Sequence, residues 1–305
     1  MRVLIRIFTI LAVLSACGWA QQVPDSSFNP PISNPAYPEG TGPVVMIDKA
    51  HNNFHTAEGR YYTFARLLSR DGYRILSSGC PFSPDSLKRG SILVISNALH
   101  ESKVEEWSLP TPSAFSDDEV VAVRDWVAEG GALYLIADHM PFPGCAEKLA
   151  AAFGFIFNNG FARKSDLSSG GPDFFRRSDS TLADHAITRG RGEAERIDSV
   201  ASFTGQAFTA DGVDALMIFD TGMSSFMPQV AWEFNDSTPR VDITGHLQGA
   251  AREFGKGRVV VFGEAAMFSA QLAGPERRPA GMNDPRAPQN PQFLLNIMHW
   301  LSRLI

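Results

Sequence analysis

Three segments of this sequence end in side chains that bind metals or move protons. In "VVMIDKAHNNFH", Asp48 closes an apolar run, and His51 and His55 follow it. Imidazole nitrogens and carboxylates are ordinary zinc ligands, and histidines at i and i+4 share a helix face. A helix that begins early in this segment gives a three-ligand set of Asp48, His51 and His55. Such a set leaves an open position for a water nucleophile, with zinc the first divalent ion to expect. The plainer use is that His51 and Asn52 cap a helix while His55 makes an interior hydrogen bond. Asp138 and His139 close "ALYLIADH", and Glu264 closes the apolar part of "GKGRVVVFGEAAMF". These three are the candidate acid and base, or further ligands. Asp138 has an equal alternative in bonding the loop backbone. Glu264, directly after "VVVF", must find a partner or reach water, with Arg258 or backbone N–H groups as the partners at hand. Asn52, together with Asn283 and Arg286 of the loop "GMNDPRAPQN", supplies candidate substrate contacts. His100 follows the third strand and reaches toward the same edge; His185, His246, Gln248 and His299 read as structural.

These residues acquire a common address from the elements that carry them. Strand and helix signals alternate, which implies a mainly parallel sheet covered on both faces, with ligands bound beyond the carboxyl ends of the strands. The spacing predicts strands at 44–48, 73–78, 91–99 and 132–139, and a first helix over 59–71. Ser116 and Glu119 form a capping box for a helix whose buried stripe is Val120, Val123 and Val127, stopped by Gly130 and Gly131. Another helix is expected from about Gly144 to Phe153. From 155 to 245 the pattern loosens into short strands ("FGFIFNNGF", "VASFTGQAF", "ALMIFD", "VAWEF"), which reads as a β-rich insertion. A closing helix is expected with Asn290 as N-cap, Pro291 first, and Phe293, Leu294, Ile297, Leu301 and Leu304 inward.

Residues 1–20 have Arg2 and Arg6 ahead of an apolar run and then small residues, the pattern of a bacterial secretory signal. "LSAC" before Gly18 reads as a lipobox that lipidates Cys17; cleavage after Ala20 is the alternative. Residues 21–42 are rich in Pro, Ser and Asn and read as a tether, which leaves 43–305 as a single domain. The net charge of −6 becomes −8 without Arg2 and Arg6. With no basic stripe, the chain does not read as a nucleic-acid binder, and its only expected membrane contact is the lipid anchor. Cys80 and Cys145 form a disulfide only if the fold brings their strands together.

"AVRDWVAEGGALYLIADH" resembles the helix, double glycine and strand of class I glutamine-amidotransferase-like domains, ThuA-like proteins among them. "HAITRG" is similar to a loop of that superfamily, and "GKGRVVVFGEAAMF" with "QNPQFLLNIMHWL" is similar to the closing strand and helix of a secreted branch related to gliding-motility and intraflagellar-transport domains. The resemblance spans most of 43–304 and implies a flavodoxin-like α/β fold. It also implies, in the true amidotransferases, a nucleophilic Cys on a sharp elbow with His and Glu beside it. Here the strand runs into Asp138 and His139, and Cys145 lies beyond Pro141 and Pro143, so a Cys-dependent amidase is not expected.

Two functional expectations follow. One is an envelope-anchored or secreted hydrolase, metal-dependent or carboxylate-dependent, with a saccharide as the substrate class suggested by the resemblance. The other is a non-catalytic saccharide- or ligand-binding or scaffold module, in which Tyr61, Phe142 and Phe268 provide an apolar platform.

Overall fold

The computed structural model describes residues 22–166 and 171–305; the leader, including Cys17, lies outside them. In chain order the regular elements are β1 (Gln22–Pro24), β2 (Val44–Asp48), α1 (Tyr62–Arg70), β3 (Arg74–Ser78), α2 (Pro84–Leu87), β4 (Ile92–Ser96), α3 (Asp117–Ala128), β5 (Ala132–Ile136) and α4 (Phe142–Ala151). There follow β6 (Phe155–Phe157), β7 (Phe161–Lys164), β8 (Asp173–Arg176), α5 (Ala186–Arg189), β9 (Ser199–Ser202), β10 (Phe208–Ala210), β11 (Asp214–Ile218), β12 (Met223–Phe226) and β13 (Arg240–Asp242). The chain closes with β14 (Leu247–Phe254), β15 (Gly257–Phe262), β16 (Ala270–Ala273), β17 (Arg278–Gly281) and α6 (Asn290–Leu301).

The main sheet runs β3-β2-β4-β5-β15 in parallel and continues antiparallel through β14, β10 and β6, with β11 also on β14. The parallel half has the strand order of flavodoxin-like sheets, with the order of strand addition reversing between β2 and β4. Period-two alternation assigns its residues to two cores. Val45, Ile47, Val94, Tyr134, Ile136, Val260 and Phe262 face α1 and α6. Met46, Leu93, Ile95, Leu133, Leu135, Val259 and Val261 face α3 and α4. Strands buried on both faces must be apolar throughout, which is why β4 and β5 read as continuous runs.

Several expected boundaries shift for local reasons. Helix α3 begins with the anticipated box, Glu119 N–H donating to Ser116 Oγ and Ser116 N–H to Glu119 Oε2. Helix α6 begins one residue earlier than expected, with Gln289 as N-cap. Asn290 instead spends its amide on Ala201 N–H and the carbonyls of Ala201 and Met267. Leu304 falls beyond α6 and is exposed. Cys80 is exposed and Cys145 buried, both as free thiols, so no bridge joins them.

Residues 22–42 are not a tether over the described stretch but a strap bound to the body. Strand β1 pairs with β16. Arg66 and Arg70 on α1 donate to the carbonyls of Ser26, Phe28 and Pro30. Asp71 accepts Ala36 N–H, and Tyr37 meets Tyr73 edge-on. Beyond β1 the segment has no hydrophobic period, because side chains at α1 and its C-terminal end bond its backbone in place of a ladder.

Candidate functional site

The loop leaving β2 does not start a helix. Asn52 adopts positive φ (46°), and the chain runs alongside the segment after β4, with Leu99 N–H donating to His51 O and Phe54 N–H to Asn97 O. Helix α1 begins only at Tyr62. His51 and His55 therefore do not share a helical face, and the expected Asp48–His51–His55 set does not form.

His51 is held between two carboxylates: Nδ1 lies 2.8 Å from Asp48 Oδ2 and Nε2 lies 2.9 Å from Glu119 Oε1. Phe82 and Phe115 flank its ring. Burial pulls the His51 pKa down, but hydrogen bonding and charge from Asp48 and Glu119 outweigh it, and the net shift is upward. Glu119 is pushed down to about 2 against the opposing effect of burial, because Ser116, His51 and Phe82 N–H all donate to it. Each ring nitrogen already has a carboxylate as its hydrogen-bond partner, so neither is free for a metal.

His55 belongs to a different cluster. Asp138 N–H donates to Asn97 Oδ1 (2.9 Å), which fixes the amide so that Asn97 Nδ2 faces His55 Nδ1 at 3.3 Å. Nδ1 is then the acceptor, and Nε2 carries the proton without a hydrogen-bond partner. Burial, with Arg60 and His139 adding to it, holds the His55 pKa well below the usual value. Asn97 itself sits at φ 54°, a conformation that asparagine tolerates better than any other residue with a side chain. Neither histidine offers a free lone pair, and among the described residues no three His, Cys, Asp or Glu side chains converge as a metal site requires. The donor set does not fit zinc. Replacing Asn97 with Ala should cost about 2–3 kcal/mol in urea unfolding, from two lost buried hydrogen bonds and an unfavourable φ; a loss below about 0.5 kcal/mol would contradict the bridge.

Asp138 and Glu264 do come together across the carboxyl ends of β5 and β15; both accept backbone N–H groups, and Asp138 also accepts the Thr204 hydroxyl. Asp138 accepts from His139 N–H (2.7 Å), Thr204 Oγ1 (3.0 Å) and Ala265 N–H (3.3 Å). Glu264 accepts from Ala266 N–H (2.9 Å) and Met267 N–H (2.7 Å). Complete burial, and then the charge of Asp138, push the Glu264 pKa well above the usual carboxylate value. Arg258, the alternative partner considered for Glu264, pairs instead with Glu253 and the carbonyls of Trp300 and Ile305.

His139 donates from Nδ1 to Met140 O (2.7 Å), stacks on Phe161 at 4.6 Å and meets Trp232 edge-on at 4.7 Å. These two aromatics open onto a cavity of about 380 Å³ whose lining also includes Arg163, Lys164, Thr204 and Arg286. Thr204 thus touches both the cavity and Asp138. Of the expected contacts, Arg286 lines the cavity and is paired with Asp284 at 2.8 Å. Asn283 is instead turned to Asp25 and Gln271 O, and Asn52 is an exposed turn residue bonded to Leu99 O. The expected platform of Tyr61, Phe142 and Phe268 is fully buried core. His100 caps a short turn by accepting Ser102 N–H, and His185 caps α5 through Ile187 N–H.

No protein-family model matches the chain, and no curated protein matches it in sequence. Among solved structures it is similar to the mmIFT52 N-terminal domain, at 12% identity and a TM-score of 0.58, covering 85% of this chain and 97% of that one. A cytoplasmic protein of Salmonella typhimurium aligns at 13% identity and a TM-score of 0.49 over 85% of this chain and 98% of that one. A ThuA-like protein from Bacteroides uniformis aligns at 12% and 0.48 over 86% and 92%. At these identities the likeness concerns the fold: a mixed α/β architecture around a large mixed sheet.

Proposed function

We propose that this chain is a saccharide-binding module on an amidotransferase-like scaffold, with the ligand seated in the cavity walled by Phe161 and Trp232. The supporting observation is Trp232: the residue is 45% exposed beside that cavity, although its ring is anchored by His139 and Phe161. A rigid, half-exposed aromatic face next to Arg, Lys and hydroxyl groups suits the apolar face and polar rim of a sugar ring. In this reading residues 155–245 are a β-rich insertion that builds the cavity walls. The scaffold belongs with ThuA-like and intraflagellar-transport domains, and the leader with Cys17 directs the protein to the cell envelope or outside the cell. Catalysis is the second reading, favoured by Thr204, which joins the cavity to the Asp138–Glu264 pair.

Titration calorimetry with an oligosaccharide panel tests the binding reading. Trp232→Ala should weaken binding about 10-fold, the equivalent of one lost ring-stacking contact. Unchanged affinity in a folded Trp232→Ala protein would remove the cavity from consideration. Release of reducing ends from a bound oligosaccharide, abolished in Thr204→Val, would shift the assignment to the hydrolase.

A further inference from the structure

A lipidated cysteine followed by a flexible stretch lets a domain stand well off from its membrane. Here the chain is joined to the body only five residues after Cys17. Gln22, Val23 and Pro24 pair with Ala273, Leu272 and Gln271 of β16. Directly beyond them Asp25 N–H donates to Ala270 O, Thr63 Oγ1 donates to Asp25 O, and Asn283 Nδ2 donates to the Asp25 carboxylate. Fully extended, the chain from Cys17 to Gln22 spans at most about 18 Å. Whatever surface holds Cys17 therefore lies within that distance of the Gln22 and Ala273 pair.

The place of that pair in the fold gives the distance a consequence. Ala273 is a wall residue of the cavity that Trp232 lines, together with Arg278, Pro279 and Ala280 of the same β16–β17 hairpin. The hairpin is exposed from Pro275 to Pro279. Glu276, Arg277 and Arg278 give its tip one net positive charge, so anionic headgroups do not repel it. Trp19 falls between Cys17 and Gln22 in sequence, and tryptophan is the side chain that settles at the headgroup level of a bilayer.

We infer that the edge formed by β1, β16 and β17 is a membrane-facing surface, with the bilayer that holds an acylated Cys17 as its partner and the Trp232 cavity beside the headgroup layer. This rests on the reading of Cys17 as the anchor of an envelope protein. The strap fixes the arrangement: a flexible tether over 22–42 would let the body range over tens of ångströms. A saccharide carried on a membrane lipid comes within reach of the cavity without the protein leaving the surface. Lys88, between α2 and β4 at the amino ends of the strands, points to the opposite side.

The test uses the full chain, expressed with its leader, purified from bacterial membranes and reconstituted into vesicles of phosphatidylethanolamine and phosphatidylglycerol. The vesicles also contain a phosphatidylcholine spin-labelled on its headgroup. Mass spectrometry first establishes the acyl groups on Cys17. In a Cys80→Ser background a fluorophore is placed at Glu276→Cys or at Lys88→Cys, both exposed; Cys145 is buried and stays unlabelled. Circular dichroism confirms that each variant is folded. Quenching should be about 3-fold or more stronger at residue 276 than at residue 88, which the length of a strand sets about 17 Å further away. Inserting about twelve Gly and Ser residues between Gln21 and Gln22 extends the reach to roughly 60 Å and should remove the difference. Equal quenching with Cys17 acylated, or a difference that survives the insertion, overturns the inference and leaves the lipid anchor standing. If Cys17 carries no acyl group, the anchor falls and the inference with it, while the Trp232 test of saccharide binding is unaffected.

Discussion

Asp71→Ala should lower the unfolding free energy by about 3–5 kcal/mol, the cost of removing a fully buried carboxylate and stranding the groups hydrogen-bonded to it. Asp71 and His299 are both fully buried, with Asp71 Oδ2 2.8 Å from His299 Nε2. The other carboxylate oxygen accepts Ala36 N–H, and the Asp71 carbonyl accepts Tyr37 N–H. One residue therefore joins the end of α1, the last turn of α6 and the strap of residues 22–42. Its loss should register twice: as a lower urea midpoint, and as faster proteolysis within 26–42 under native conditions. Asp71→Asn provides the control, because the amide oxygen keeps an acceptor for Ala36 while the charge opposite His299 is gone. It should lose stability but keep more of the strap's protection. If Asp71→Ala unfolds within about 0.5 kcal/mol of the parent, or leaves cleavage of 26–42 unchanged, the strap is not secured through this residue.

The strap also marks the limit of what the sequence discloses. The parallel half of the sheet is legible because strands buried on both faces must be apolar for their whole length, as "VVMID", "ILVIS" and "ALYLI" are. Capping by Ser116 and Glu119 is legible because it acts between residues three apart. Long-range polar contacts leave no such trace. Glu119 is recognisable as a cap, yet its second use, binding His51, comes from 68 residues away. The arrangement Asp48–His51–His55 resembles a ligand set in one dimension. A positive φ at Asn52 and pairing to the Asn97–Leu99 segment send the two imidazoles into separate clusters. Asn97, immediately after a buried strand, is the residue whose type carried a usable signal: an αL position that presents an amide to its neighbours. "VAWEF" reads as a strand by composition, but only Val230 makes a bridge, to Ser108, and Trp232 at positive φ (69°) turns its ring to the cavity edge. Among the described residues no helix is long and apolar enough to cross a membrane.

His51→Ala should destabilise by a similar amount, about 3–5 kcal/mol near pH 5.5, and by an amount that depends on pH. Without the ring, Asp48 stays fully buried and keeps only the bond from Ala50 N–H. Glu119 loses one of its donors but retains Ser116 and Phe82. The linkage has a definite sign. His51 has a folded pKa above its ordinary value of 6.5, so its contribution is complete below that value and is lost as pH rises through the folded pKa. Glu119 has a folded pKa of about 2, below its ordinary 4.5, so its contribution is present above 4.5 and is lost as pH falls through about 2. The latch between the β2 loop and the start of α3 is therefore strongest between those two ordinary values, in mildly acidic solution. Urea unfolding of the parent and of His51→Ala at about pH 5.5 and pH 9 measures this directly, and the difference between them should shrink at the higher pH. Glu119→Gln should reduce stability less, because the amide still accepts from His51 or Phe82, and it should flatten the alkaline loss by lowering the His51 pKa. A parent-minus-variant difference that is the same at both pH values would mean that the ring is held neutral, with Asp48 and Glu119 contributing hydrogen bonds but no charge pairing.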